Sequence, residues 1–338
     1  MEIILAILLA FVPAFFLSWF IYWLDRYEKE PKLLLLSAFF WGGFIAVIGA
    51  IIGSIIMNVG FSMVLQDAVL ADLASGSITA PFVEEFWKGL AVLIVFLVFR
   101  KEFDSILDGI VYGAVVGLGF AATENVLYLV SEYQVSGFQG MLVLFALRVG
   151  VFTWLHPFAT AFTGIGFAIA RRNRHIAIKL IAPLAGYLFA ILAHSFHNTA
   201  VSFAGGLESI ILIILLEWLG WFIMFGFIIW LIRREQGLLK QHLLEEVREG
   251  RLSQAQYNTA VSFFQMGARL RALAAGKLRS TSRFYQVCGE LAHKKEQLAK
   301  MGDEAGNTAI IAKLRAEVQQ LAHKLEGPRQ AIDSPAYD

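Results

Sequence analysis

Seven apolar windows, at residues 3–24, 33–57, 79–99, 105–130, 141–170, 176–203 and 209–232, dominate the first two-thirds of the chain. A helix of about 20 residues crosses the roughly 30 Å hydrocarbon core of a bilayer. Backbone groups in lipid must find partners within the protein, so spans of this length are expected to be helices. The predicted fold is all-α, a polytopic membrane helix bundle of about seven spans with a helical tail outside the bilayer. The fifth window is too long for one upright helix and contains Arg148. If residues 138–147 form an interfacial or re-entrant piece, there is an eighth membrane segment and the span proper begins near Arg148. A composition of 58% hydrophobic and 16% charged residues excludes an ordinary soluble domain. The opening stretch, MEIILAILLAFVPAFFLSWFIYWLD, lacks the basic start and small-residue cleavage site of a signal peptide, and is expected to be a retained first helix.

Charge divides the chain. Residues 1–232 hold 11 Lys/Arg and 15 Asp/Glu, whereas residues 233–338 hold 17 and 12. Two domains are expected, a membrane-embedded one over 1–232 and a polar, helical tail over 233–338. The net charge of +1 gives no footprint for nucleic acid, while the tail's basic excess (17 − 12) hints at a membrane surface. Arg26, Lys29 and Lys32 follow the first window, Arg100 and Lys101 the third, Arg171, Arg172, Arg174 and Lys179 the fifth, and Arg233 and Arg234 the seventh. The intervening loops carry Asp67, Asp72, Glu132 and Glu208 but no Lys or Arg. The positive-inside rule then puts the N-terminus outside the cell membrane and the tail in the cytoplasm. In the tail, helical stretches are expected at 253–275 and 282–325, the second broken at GDEAGN (302–307) into a hairpin. Ile311, Leu314, Val318, Leu321 and Leu325 recur at helical steps. A pair packing on itself is preferred to an arm that binds a cytosolic protein or self-associates. The closing GPRQAIDSPAYD is expected to lack packing. The single cysteine, Cys288, excludes an internal disulfide framework.

The anomaly is PFVEEFWKGL, three charges inside the third window. Each costs about 2.5–3.5 kcal/mol near the centre of a bilayer. Glu84 and Lys88 stand at i, i+4, so Lys88 is expected to neutralise or hold Glu84. Glu85, turned about 100° away, is then left unmatched. Two neighbouring carboxylates in a low dielectric resist ionising together, which suits proton transfer. A buried ion pair that only fixes register is the plainer reading. In the fourth window Gly109, Gly113 and Gly117 form a small-residue packing stripe, followed by Glu124-Asn125. In the fifth, His156 precedes Pro157, so a kink with a freed carbonyl is expected. In the sixth, His194, His197 and Asn198 have the spacing to bind a metal or an oxyanion. Under the topology above these groups share one depth in the outer half of the bilayer, as one site would. No H-E-x-x-H or G-x-S-x-G motif is present.

EEFWK (84–88), FAATE (120–124), FTWLH (152–156) and HSFHN (194–198) follow, in order, the E-E-x-x-K, F-x-x-x-E, F-x-x-x-H and H-x-x-x-N patterns of the PrsW family. That family is related to the CAAX prenyl endopeptidases and the bacteriocin-processing membrane proteases. The resemblance covers about residues 10–232 and leaves out the tail. It implies an intramembrane protease that hydrolyses peptide bonds of membrane-bound substrates such as anti-sigma factors. By the same resemblance Glu84 activates the attacking water with help from His156, and Glu85 and Glu124 orient or tune. His194 and Asn198 would bind the oxyanion, with Lys88 and His197 in support. The residues suit metal-free hydrolysis, which is the preferred expectation, but zinc held by His156, His194 and Glu124 fits the same types. The implied partners are a membrane-protein substrate and the lipid bilayer, not nucleic acid. A proton-coupled transporter or a membrane scaffold could use the same buried Glu and His residues without enzymatic activity.

Overall fold

The computed structural model describes residues 2–64, 67–303 and 306–326, all helix, turn and loop with no strand among the described residues. The chain forms two compact units. One comprises the residues up to Asp25 together with Glu30–Leu231, the other Arg26–Lys29 and the residues from Ile232 onward. The closing 327–338 stretch lies outside the described residues.

The first unit is built from α1 (Glu2–Leu24), α2 (Lys32–Phe40), α3 (Val47–Val64), α4 (Ala68–Ala74), α5 (Ala80–Val98), α6 (Ile106–Phe145), α7 (Leu155–Arg171), α8 (Ile176–Ser202) and the first part of α9 (Leu207–Arg248). Five stretches are long and apolar enough to cross a membrane by length and composition: Glu2–Leu24, Lys32–Phe61, Ile106–Arg171, Ile176–Ser202 and Leu207–Arg248. The stretch Ile106–Arg171 holds two of the seven windows, and the remaining window is α5, whose 19 residues carry the three charges. The result is a helical membrane bundle.

Helix α6 is its axis. From Leu107 to Ala122 every residue is buried, the mark of a helix surrounded on all sides. Its start is set locally: Ser105 Oγ accepts from the Asp108 backbone N–H at 3.1 Å, and Asp108 accepts from the Ser105 N–H at 2.6 Å, a reciprocal cap. The stripe of Gly109, Gly113 and Gly117 faces the backbone of α7 at Gly164, Thr160 and His156. A Cβ at Gly113 would lie 2.6 Å from the Thr160 carbonyl oxygen, so only glycine permits this approach. On another face, Gly119 meets Phe39 and Gly43, next to a π-helical turn (Trp41–Ala46) that joins α2 to α3.

The fifth window departs from expectation. The helical path turns at Gly137, where φ is 68°, and breaks again between Val151 and Leu155. The span that carries His156 therefore begins at Leu155, not near Arg148. Pro157 falls in the first turn of α7, where its missing N–H needs no partner. It helps to start a helix and does not kink a running one.

The second unit contains the end of α9, α10 (Gln254–Ala260), α11 (Met266–Ala274), α12 (Leu278–Met301) and α13 (Asn307–Glu326). The expected hairpin appears as α12 and α13, which pack on each other, and Phe284, Val287, Leu291, Leu314 and Val318 are buried. The expected single stretch 253–275 is two short helices, because Gln265 caps Ala260 with its side chain and Ser262 bonds the backbone of Phe264. Glu246, fully buried, accepts from Lys295 at 2.7 Å and Arg315 at 3.0 Å, and also from Arg251. Burial pushes the Cys288 thiol well above its usual range, as for a packing residue.

The α6–α7 seam yields a prediction. Gly117→Leu should cost at least about 1–3 kcal/mol by overpacking, read as a lower thermal midpoint in detergent. Gly226→Leu on α9, with open space around the glycine, should leave the midpoint unchanged.

Candidate active site

Helix α5 places Glu84, Glu85 and Lys88 on its buried side, one turn after Pro81 opens the helix. Lys88 is fully buried. Its Nζ lies 2.6 Å from Glu85 Oε1, 3.4 Å from Glu84 Oε2, 3.1 Å from His156 Nδ1 and 4.1 Å from the centre of the Phe120 ring. The expected pairing is thus reversed, with Glu85 at i, i+3 the tighter partner of Lys88. Glu85 is also far from unmatched. Its Oε2 accepts from Thr160 Oγ1 at 2.9 Å and its Oε1 from His194 Nδ1 at 3.0 Å. Glu84 is the under-coordinated carboxylate.

The close α6–α7 seam brings the next pair in. Glu124 Oε2 is 2.9 Å from His156 Nε2 and accepts from Arg148 Nη2 at 2.6 Å. Arg148 Nε donates to Asn125 Oδ1 at 2.8 Å, and the guanidinium stacks 3.8 Å from the Tyr128 ring centre. His156 and His194 meet edge to face with ring centres 4.9 Å apart.

The partners assign the imidazole protons. His194 Nδ1 faces a carboxylate and so carries its proton, leaving the Nε2 lone pair toward Glu84 Oε2 at 3.7 Å. His156 Nε2 donates to Glu124, and its Nδ1 accepts from the Lys88 ammonium. His194 Nε2 and Glu84 Oε2 face each other at 3.7 Å. Glu84, His156 and His194 offer donor atoms within 4.8 Å of one another. Glu124, expected in such a set, is instead engaged by Arg148. Glu84 Oε2 and His194 Nε2 present open donor atoms to a metal ion, and His156 Nδ1 joins them only by exchanging the Lys88 ammonium for the ion, with Glu85 holding His194 and Glu124 holding His156 as outer-shell carboxylates do.

Two expected site residues lie elsewhere. His197 Nδ1 bonds Glu217 Oε1 on α9 at 2.6 Å, and Asn198 Nδ2 donates to the Gly76 carbonyl at 2.8 Å, holding the turn that precedes α5. Thr160, Asn125 and Arg148 join the cluster without having been singled out. Arg148 had left a signal, as an isolated cation in an apolar window that needs a buried anion.

Long apolar helices packed around a buried set of carboxylates, histidines and cations define a polytopic membrane protein with a polar site inside its helix bundle. The chain belongs to the PrsW family, described as intramembrane metalloproteases, whose model matches residues 30–231. Over 108 residues it is 35% identical to the protease PrsW of Geobacillus kaustophilus (strain HTA426), covering 32% of this chain and 44% of that protein. It is 34% identical over 108 residues to the protease PrsW of Clostridioides difficile (strain 630), covering 32% and 43%. For the protease PrsW of Oceanobacillus iheyensis (strain DSM 14371 / CIP 107618 / JCM 11309 / KCTC 3954 / HTE831) the identity is 26% over 172 residues, covering 50% and 70%. The chain thus spans less than half the length of the first two of these relatives. No solved structure matches it.

The Arg148–Glu124 pair can be tested. Arg148→Met should lower unfolding stability by about 1–3 kcal/mol by stranding a part-buried carboxylate. Adding Glu124→Gln should recover most of that loss, as measured by denaturant titration in detergent.

Proposed function

We propose that the protein is an intramembrane endopeptidase that hydrolyses peptide bonds of membrane-protein substrates, with anti-sigma factors as one candidate class. The observation that carries this is the meeting of Glu84, Glu85, Glu124, His156 and His194, from four helices, around one buried centre. Hydrolysis requires a base for the water, a donor for the leaving amine and cationic or N–H groups beside the developing oxyanion. Glu84, the carboxylate with the fewest partners, accepts the proton of the attacking water as its oxygen bonds the peptide carbon. The same carboxyl returns that proton to the nitrogen as the C–N bond breaks. Glu85 and Glu124 hold His194 and His156 in their tautomers. Lys88 keeps the centre from accumulating negative charge, and Asn198 positions α5 through Gly76. His194 Nε2, and His156 Nδ1 once released from Lys88, would hold a metal such as zinc beside Glu84, and the metal would supply Lewis acidity toward the carbonyl and the water. The loop charges support an N-terminus outside and a second unit in the cytoplasm.

Purified protein in proteoliposomes should cleave at least one of a panel of single-span substrates. Glu84→Gln and His156→Ala should each slow cleavage by about a hundredfold or more. Cleavage by Glu84→Gln at the wild-type rate would refute the assignment. Dialysis against a chelator should remove bound metal, measured by mass spectrometry, and reduce cleavage in parallel.

A further inference from the structure

The second unit carries a surface that the protease reading does not use. Phe264, Leu270 and Leu273 are 75%, 58% and 58% exposed, an unusual amount of large apolar side chain for one short segment. Around them the chain is wholly basic. Between Glu249 and Glu290 there is no Asp or Glu, and six Lys or Arg: Arg251, Arg269, Arg271, Lys277, Arg279 and Arg283. Arg251 and Arg283 are paired with glutamates. Arg271, Lys277 and Arg279 are exposed and make no ion pair among the described residues. Helix α11 is amphipathic with its outward side mixed, since Leu270, Arg271 and Leu273 face out while Ala272 is buried. Long basic side chains beside exposed Leu and Phe are the composition of a helix lying in a lipid headgroup layer.

The chain path says which surface is in reach. Arg26 stacks 4.6 Å from the Phe263 ring centre and 5.9 Å from that of Phe264, and its Nη1 donates to the Phe263 carbonyl at 3.0 Å. Arg26 is two residues beyond Leu24, the end of the membrane-spanning helix α1, hence within about 8 Å of it along the backbone. The Phe263-Phe264 pair is thereby tied, within the second unit, to Arg26, two residues along the chain from the end of α1.

We propose that residues 263–279 form a membrane-surface anchor. It lays Phe264, Leu270 and Leu273 into the leaflet from which α1 emerges, and Arg271, Lys277 and Arg279 bind anionic lipid headgroups there. Each basic residue close to such a surface strengthens attachment by roughly fivefold. The anchor is independent of whether the first unit cleaves peptides.

The test uses the full chain in proteoliposomes of phosphatidylcholine, with or without about one-third phosphatidylglycerol as the anionic lipid. A fluorophore is placed at Leu273→Cys or, as an exposed control in the same unit, at Lys313→Cys; the buried Cys288 is left in place. Quenching by lipids carrying a nitroxide on the acyl chain is the readout. At position 273 it should exceed that at 313 by about threefold or more, most strongly with the anionic lipid, and Arg271→Glu with Lys277→Glu should remove the excess. Equal quenching at 273 and 313 would overturn the proposal. So would a label at 273 shielded only when cytosolic protein is added, which would make the surface a protein-binding one.

Discussion

A lysine ammonium with no exposure, set among Glu85, Glu84 and His156, is the interaction on which the first unit depends. A buried charge persists only when its partners hold it, and removing one partner strands the rest. Glu85 is tied in turn to Thr160 on α7 and His194 on α8, so a rotation of α5 would break contacts with two other helices at once. The register of three helices is therefore fixed by one cation. The α6–α7 glycine seam supplies the remaining constraint, because only a backbone approach at Gly117 brings His156 beside Glu124.

Inside this frame the carboxylates are unequal. Glu85 and Glu124 are saturated with donors, while Glu84 has Lys88 at 3.4 Å and a histidine lone pair at 3.7 Å. Saturated carboxylates orient their neighbours, and an under-coordinated one is available to water, substrate or metal. The proposed division of labour rests on these distances and on burial. It agrees with a family described as metalloproteases.

Much of the architecture was legible in the sequence because bilayer spans are written in composition: every apolar window is predominantly helical, although the second and fifth are divided among several helical segments. The breaks were harder to read. Gly137 is one glycine among many, and nothing local distinguishes the one that takes a positive φ. Pro157 was misread because proline both interrupts and opens helices, and the choice depends on whether a turn precedes it. From the sequence, Glu84, Glu124, His156 and His194 are expected to come together, and these side chains do meet. The choice of Glu85 by Lys88 was not legible, since i+3 and i+4 partners are both within reach and contacts from α7 and α8 decide. Arg148 finds Glu124 across 24 residues and the chain turn at Gly137, a pairing no local pattern encodes.

The most direct measurement is a double-mutant cycle of Glu85→Gln and Lys88→Met on unfolding free energy in detergent, with metal binding followed in the same four proteins. If the Lys88–Glu85 pair organises the site, each single variant loses about 3 kcal/mol or more and the double variant loses less than their sum by at least about 2 kcal/mol. Metal binding should weaken in both single variants. Additive losses, with metal binding unchanged, would show that the cluster does not act as one unit.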